Sequence, residues 1–235
     1  MYSLIFFAPL LLQGGFGLTP QEAGWLVTPL AGCVAIGSIL NSNVATAVSR
    51  PALILGTGYT LLTVFCLGMA FSNRFTPHWL MEIAMAAGGI GMGFIFNNLN
   101  IFSQELAGPG RFGITTALIQ STRMVGGMFG TALIGMLVTR TYVARVAAAV
   151  TGSFGTVSPQ ILHELRDPEV LMDHHSAVLS PQILEVGRDV LATSIHLGFF
   201  LTAIAAIIAI WQVRRIWHLT YTRKTEVERE SVVTV

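Results

Sequence analysis

One stretch of the chain decides its fold, RFGITTALIQSTRMVGGMFGTALIGMLVT, which runs from Arg111 to Thr139. It is apolar and long enough to cross a bilayer, yet it carries an arginine near its middle, where a charge needs a partner or a watery cavity. A set of residues spaced three or four apart shares one face of this helix. Its members are Thr116, Gln120, Arg123, Gly127 and Gly130. This face predicts contact with another helix or a pore, not with lipid.

The composition is that of a membrane protein. Of 235 residues, 53% are hydrophobic and 11% are charged, whereas a soluble domain carries about 25% charged residues. The period-two alternation of a membrane β-barrel is absent, and a net charge of +1 gives no support to nucleic-acid binding. Cys33 and Cys66 lie in apolar runs and are expected to be packing residues without a metal or disulfide framework. We therefore predict an all-α, polytopic membrane helix bundle without a cofactor.

Taken in order, the chain gives five full spans and one partial span. The segment Met1–Leu12 is too short to span and lacks the basic start of a signal peptide, so it is expected to be the end of a helix whose beginning is missing. The predicted full spans are residues 24–48, 52–71, 79–104, 111–139 and 190–213. Thr19–Glu22 reads as a helix start, with a threonine cap, a proline in the first helical position and then an acid.

The fourth span carries the most regular face in the sequence. Polar residues at both ends and small residues between them recur every three or four positions. They are Glu82, Ala86, Gly89, Gly93, Asn97, Asn100 and Gln104. GxxxG pairs occur here and in the fifth span, and this spacing lets membrane helices approach closely. The expected helix-packing positions are Gly89, Gly126, Gly127 and Gly130.

A polar segment separates the fifth span from the last. Residues 140–189 hold half of the acids and are predicted to form an extracytoplasmic loop within a transmembrane bundle of residues 1–215. The sequence SPQIL occurs at Ser158–Leu162 and again at Ser180–Leu184, which predicts two short surface helices, by duplication or by coincidence of capping chemistry. The opposite side holds more basic residues, which predicts that it is cytoplasmic. Residues 216–235 are expected to be a disordered cytoplasmic tail.

An ordered set of motifs gives the chain a resemblance to a known family. A helix ending, a turn of the form G-x-T-P-x-x-A-G, a proline in the next helix, a GxGxG helix and an R-x-x-G-G-x-x-G helix follow one another. They are Pro9–Gln13, Gly17–Gly24, Pro29, Gly89–Gly93 and Arg123–Gly130. This order, with a long loop before the last helix, resembles the C-terminal part of a major facilitator superfamily transporter. The branch it resembles is the EmrB/QacA-type, fourteen-helix drug/proton antiporters.

The resemblance implies a secondary transporter in which two helical bundles rock about a small-molecule substrate bound between them. It implies proton-coupled efflux of amphipathic drugs or other small organic compounds across the inner (plasma) membrane. The family's N-terminal half is absent from this sequence, so that half becomes an implied partner, beside the lipid bilayer and an extracytoplasmic adaptor on the outer loop. The open alternative is a non-transporting remnant or an accessory half. An enzyme is disfavoured because no nucleophile–base set appears.

In this interpretation the chain supplies one wall of the substrate cavity. The candidate cavity residues are Arg123, Gln120, Thr116, Asn97, Asn100 and Gly93. Arg123 either serves the cavity or is a structural arginine bonded within the bundle, and the amides either recognise substrate or join helices. Glu82 is the candidate for proton coupling, with an interfacial carboxylate as the alternative. The loop residues His163 and Asp173–His175 lack the ligand spacing of a metal site.

Overall fold

The computed structural model describes residues 2–47, 51–108, 110–154 and 180–233, with single residues between the last two ranges at 158, 161, 165, 167 and 171. For 44–47, 51–52 and 216–233 it describes the backbone alone. The regular elements of this part are all helical, which confirms the all-α prediction. They are α1 Tyr2–Leu10, α2 Pro20–Ala47, α3 Pro51–Ala70, α4 His78–Ala107, α5 Phe112–Phe154 and α6 Pro181–Val233. A π-helical segment, Leu11–Gly15, continues α1.

Five of these helices, α2 to α6, are long and apolar enough to cross a membrane. The apolar part of α6 ends at Arg215, and the first apolar helix, Tyr2–Gly15, is shorter than a span. The prediction of five full spans and one partial span is therefore confirmed for the described part of the chain. The molecule is a multi-pass membrane helix bundle.

The start of α2 follows the chemistry predicted for it. The backbone N–H of Thr19 donates to Glu22 Oε2 at 2.9 Å, and the backbone N–H of Glu22 donates to Thr19 Oγ1 at 3.3 Å. Pro20 is the first residue of the helix. These reciprocal bonds satisfy backbone donors that the first turn would otherwise leave free.

The last two helices extend beyond their apolar runs. The backbone of α5 continues to Phe154, past the predicted end at 139, and α6 begins at Pro181, before the predicted start at 190. Tyr142, Val146 and Val150 recur every four residues on α5 and are fully buried, in a cluster that also includes Leu165, Leu171 and Ile183. Amphipathic packing therefore continues the helices where the sequence stops being uniformly apolar.

Two expectations about the ends of α6 need revision. Residues 180–184 are not a separate short helix, because Pro181 begins α6 itself; the other predicted short helix, at 158–162, lies mostly outside the described residues. The backbone is helical through Val233, where a disordered tail was expected. Lysine, arginine and glutamate, which dominate residues 223–230, are strong helix formers.

Helix α4 is the centre of the bundle and packs on α2 and α3, while α3 and α5 pack on α6, and α1 packs on α5. On the α2 side, a Cβ at Gly93 would collide with the carbonyl oxygen of Val34. On the α3 side, a Cβ at Gly91 would lie 2.7 Å from the carbonyl oxygen of Gly58. Only glycine fits at these positions, so the glycines of α4 let its backbone meet the backbones of two neighbouring helices.

Beyond the apolar core, an ion-pair cluster ties the turn between α3 and α4 to the first turns of α6. Arg74 Nη1 lies 3.3 Å from Glu185 Oε1, and its Nη2 lies 3.1 Å from Asp189 Oδ1. The two carboxylates are one helical turn apart, so a single guanidinium reaches both.

Candidate functional site

The polar faces of α4 and α5 meet at one end of the two helices. Gln104 Nε2 donates a hydrogen bond of 2.8 Å to Thr116 Oγ1. Thr116 Oγ1 in turn donates to the backbone carbonyl of Phe112 at 2.8 Å. The predicted cavity residue Thr116 is therefore half-buried between two helices, where its hydroxyl joins α5 to α4.

Two turns further along α5, the guanidinium of Arg123 is half-buried against α4. It lies 4.5 Å from the centroid of the Phe96 ring, and its Nη2 donates to Gln120 Oε1 on its own helix. Its Nε is buried without a hydrogen-bond partner in the described part of the chain. No carboxylate of the described residues forms an ion pair with Arg123. Gln120 itself is exposed.

An apolar groove lies between α1 and α5. Its volume is about 490 Å³, and its lining is Tyr2, Phe6, Met124, Gly127, Met128, Thr131 and Ala132. The ring of Tyr2 covers Gly127 so closely that a Cβ there would collide with it. Phe6 is 65% exposed and Met128 is 67% exposed, so the groove is open. Ligand sites are typically concave and mainly apolar with few polar groups, and methionine adapts its shape to different ligands.

The amides of α4 face α2 at the same end of the bundle. Asn98 Nδ2 donates to Asn41 Oδ1 at 2.6 Å, and both side chains are fully buried. Asn97 Nδ2 donates to the carbonyl of Ser38 at 3.3 Å. Asn100 is half-buried, and its Oδ1 has no hydrogen-bond partner in the described part.

Gly93 requires a correction. It was expected to line the cavity, but it is fully buried at the contact of α4 with α2. The Val34 carbonyl and the Ser38 backbone nitrogen occupy the space in front of it. Its neighbour on the same face, Gly89, is buried against Leu30 and Cys33 of α2 in the same way.

The structure does not bring the remaining candidates to this site. Glu82 lies near the opposite end of α4, and its side chain is exposed. Gly126 and Gly130 are exposed, and a Cβ at either position would meet nothing within 4 Å. Gly127 lies against the Tyr2 ring of α1, so it lets α5 approach α1 closely; the packing roles of Gly126 and Gly130 stay predictions.

Sequence reasoning missed the residues that form the groove. Tyr2 and Phe6 are one turn apart on α1, as are Met124 and Met128 on α5, and each pair therefore shares a helix face. This spacing was available in the sequence. The groove-lining role of these residues was not recognised because both segments are uniformly apolar. A uniformly apolar segment does not distinguish a groove-lining face from a lipid-facing face.

The arrangement combines an open apolar groove, a half-buried cation and several amides, and it resembles a binding wall for small molecules more than a centre for covalent chemistry. Among the described residues there is no group of His, Cys, Asp or Glu side chains that could hold a metal ion. The loop residues 163 and 173–175 lie outside the described residues.

Comparisons with known proteins agree with this description. The family profile of the Major Facilitator Superfamily matches residues 1–222. The chain is 25% identical over 224 residues to Multidrug transporter protein MdtP of Bacillus subtilis, covering 85% of this chain and 40% of that protein. It is 25% identical over 211 residues to Multidrug resistance protein 3 of the same organism, covering 88% and 40%.

A third relative is Methylenomycin A resistance protein of Streptomyces coelicolor, which is 24% identical over 138 residues, covering 58% of this chain and 29% of that protein. The chain thus spans about 40% of the length of the first two relatives. The family match, by contrast, covers nearly the whole of this chain. The chain therefore belongs to the Major Facilitator Superfamily of membrane transporters.

Proposed function

We propose that the chain is part of a secondary active transporter that exports amphipathic drugs or other small organic compounds by alternating access, driven by proton entry. The observation that carries the proposal is the open groove of about 490 Å³ between α1 and α5. Family membership supports transport, and the names of the first two relatives support multidrug efflux. The fourteen-helix drug/proton antiporter branch is the assignment that the sequence motifs favour.

The lining of the groove supports substrates with a large apolar part. Two aromatic rings and two methionines provide flat and deformable surfaces, which favour recognition by shape and area over a fixed pattern of hydrogen bonds. Gln120 and Arg123, which are hydrogen-bonded to each other on α5, are the proposed contacts for the polar end of the substrate.

The transporting unit of this proposal includes a second helical bundle, the N-terminal half of the family. Its docking face is the side of α5 that carries Gly126 and Gly130, since a Cβ at either glycine would meet open space. The same open face favours the alternative function, an accessory half that works with a separately supplied bundle. In both cases the substrate lies between the two bundles near the membrane midplane.

The proposal places the protein in the inner (plasma) membrane with its C-terminus in the cytoplasm, because the basic residues concentrate on that side. The segment between α5 and α6 is then extracytoplasmic, and an adaptor would dock there.

Glu82 is the proposed proton-coupling carboxyl, because an acid within a span can relay protons. Its side chain is exposed near the start of α4, which in the proposed orientation is the extracytoplasmic end.

The test is transport in inside-out membrane vesicles that contain the chain, alone and together with a family N-terminal half. We expect energised vesicles to accumulate a fluorescent amphiphile and to release it when nigericin collapses the pH gradient. Arg123→Ala should abolish accumulation, whereas Arg145→Ala, an exposed arginine on the same helix, should leave it unchanged. Accumulation that survives Arg123→Ala, or that is insensitive to the pH gradient, would contradict the proposal.

A further inference from the structure

His196 lies in α6, and its half-buried ring faces the turn that precedes α2. Its Nε2 is buried and has no hydrogen-bond partner in the described part of the chain. The ring of Phe16 lies beside it, with the two ring centroids 6.3 Å apart and the ring planes tilted by 58°. A buried polar atom without a partner costs free energy, so its presence needs an explanation other than packing.

The segment beside His196, residues 11–18, is not a regular helix. Its first part, Leu11–Gly15, is π-helical, and Gly17 follows with a φ of 73°. π-Helical turns are rare and are frequently found at functional sites. Three of the eight residues are glycines, which restrict the backbone least. This segment can therefore change its conformation at a lower cost than a regular helix can.

One face of α6 covers this segment. Arg188, Ala192 and His196 are spaced four residues apart and therefore share a helix face. The Arg188 guanidinium lies so close to Gly17 that a Cβ there would be 2.6 Å from Nη1. A Cβ on Gly15 would lie 3.1 Å from the Cβ of Ala192. The backbone of the segment is therefore in close contact with α6 one turn before His196.

No charged group among the described residues is bonded to the Nε2 of His196. Residues 11–18 contain no titratable side chain. Arg188 faces the same segment, but it is two helical turns, or about 12 Å, from His196, and Asp189 is bound to Arg74. The neighbouring parts of α1, α2, α3 and α5 carry the titratable residues Tyr2, Glu22, Cys66, Arg140 and Tyr142.

A proton on Nε2 would place a positive charge without a partner in this contact. Burying such a charge costs far more free energy than burying the neutral ring. Separation of residues 11–18 from α6 would admit water to the ring and remove that cost. The separated form therefore binds the proton more readily, and a lower pH increases its population.

We propose that His196 is a proton-binding residue of the transport cycle, and that its protonation separates residues 11–18 from α6. The inference rests on the proposed function and adds a second proton site to Glu82. Unlike Glu82, which is exposed, His196 has an enclosed nitrogen, so its affinity for a proton depends on the conformation. Histidine changes its charge between about pH 5 and pH 8. In the proposed orientation, His196 lies in the extracytoplasmic half of the apolar part of α6, on the side from which protons enter.

Hydrogen–deuterium exchange of the purified chain in phosphatidylcholine nanodiscs tests the separation, at about pH 7.5 and about pH 5.5. After correction for the intrinsic pH dependence of exchange, we expect the amides of residues 11–18 to lose about tenfold in protection at the lower pH. This loss is within the limit that one linked proton sets, about tenfold for each pH unit. Protection that does not depend on pH would overturn the inference.

Variants assign the effect to one ring. His196→Gln and His196→Phe cannot take up a proton, so protection should change less than twofold between the two pH values. His78→Gln replaces an exposed histidine at the start of α4 and should keep the tenfold change. A tenfold change that survives in a folded His196 variant would refute the proton site. If neither variant folds, as judged by gel filtration, the original chain and His78→Gln still decide by the presence or absence of the change.

Vesicle transport separates this inference from the proposed function. With the N-terminal half present, His196→Gln should reduce proton-driven accumulation of the fluorescent amphiphile about tenfold. It should keep counterflow exchange of the amphiphile, which needs no net proton movement. Unchanged accumulation, or loss of both activities, would overturn the inference and leave the transporter function of the original chain intact. No transport by the original chain, with the pH-dependent protection of residues 11–18 retained, would contradict the transporter function and leave the proton-driven separation standing.

Discussion

The side-chain amide of Asn98 on α4 donates a 2.6 Å hydrogen bond to Asn41 Oδ1 on α2, and both residues are fully buried. Each residue also has a polar atom without a hydrogen-bond partner among the described residues, Nδ2 of Asn41 and Oδ1 of Asn98. The pair therefore joins two helices through one bond, while two further polar groups are buried beside it. Removing one partner leaves the other amide wholly unpaired, which costs more than removing both.

We expect Asn41→Leu alone or Asn98→Leu alone to destabilise the chain by about 1–3 kcal/mol, and the double variant to be close to the original protein. Unfolding by SDS in mixed micelles measures each variant, and the four proteins form a double-mutant cycle. Additive losses in the double variant would show that the two amides do not act together.

The contact of α4 with α2 predicts a second difference. Gly93→Ala places a methyl group against the Val34 carbonyl, so we expect a loss of stability of about 1–3 kcal/mol. Gly130→Ala is the matched control because a Cβ there meets nothing within 4 Å, and it should be neutral or gain up to about 1 kcal/mol from helix propensity. Melting of both variants in detergent gives the comparison, and equal effects would contradict the close contact at Gly93.

The ion pairs of Arg74 with Glu185 and Asp189 should contribute little and depend on salt. The carboxylate side chains are 65% and 72% exposed, so we expect Arg74→Ala to cost less than about 1 kcal/mol. The cost should shrink further at 1 M salt, where screening is strong. Arg145→Ala is the control for general charge effects. Melting temperatures at low and high salt measure both; a large, salt-independent loss would mean that Arg74 acts by packing.

Tyr142 is part of the hydrophobic core, in the same cluster as Leu165. Its hydroxyl donates to the carbonyl of Leu165 at 2.7 Å, and the ring is fully buried. Tyr142→Phe keeps the ring and leaves that carbonyl unpaired, so we expect a loss of about 1 kcal/mol. Hydrogen–deuterium exchange in the peptide that carries Leu165 should become faster, while exchange in α4 should not change. Unchanged exchange near Leu165 would show that the hydroxyl is dispensable.

Much of the fold could be predicted because its signals are local. Apolar runs of span length indicated α2 to α6, and the Thr19–Glu22 cap fixed the start of α2. The predicted end of the fifth helix, at residue 139, was wrong because α5 continues to Phe154. This continuation depends on burial of Val146 and Val150 with residues far along the chain, such as Leu165. A window of sequence contains no information about such distant partners.

The site was predicted less completely, for a related reason. Periodicity shows that residues share a helix face, but it does not show which neighbour that face meets. The predicted polar and glycine-rich face of α4 contacts two different helices. Gly93 and Asn97 face α2, whereas Gln104 donates a hydrogen bond to Thr116 on α5. Arg123 was recognised because placing a charge in the bilayer costs free energy. Its neighbour Phe96 was not recognised because aromatic residues are common in apolar helices.

The glycines of α4 also have a mechanical consequence. At Gly93 and Gly91 the backbone of α4 rests directly on the backbones of α2 and α3, with no deformable side chains between them. These close backbone contacts prevent the three helices from tilting independently, so α2, α3 and α4 should move as one rigid body. At the contact of α1 with α5, by contrast, a tyrosine ring and methionine side chains lie between the two backbones. Relative motion of the helices is therefore expected mainly at the contact of α1 with α5, which includes Met124, the residue after Arg123.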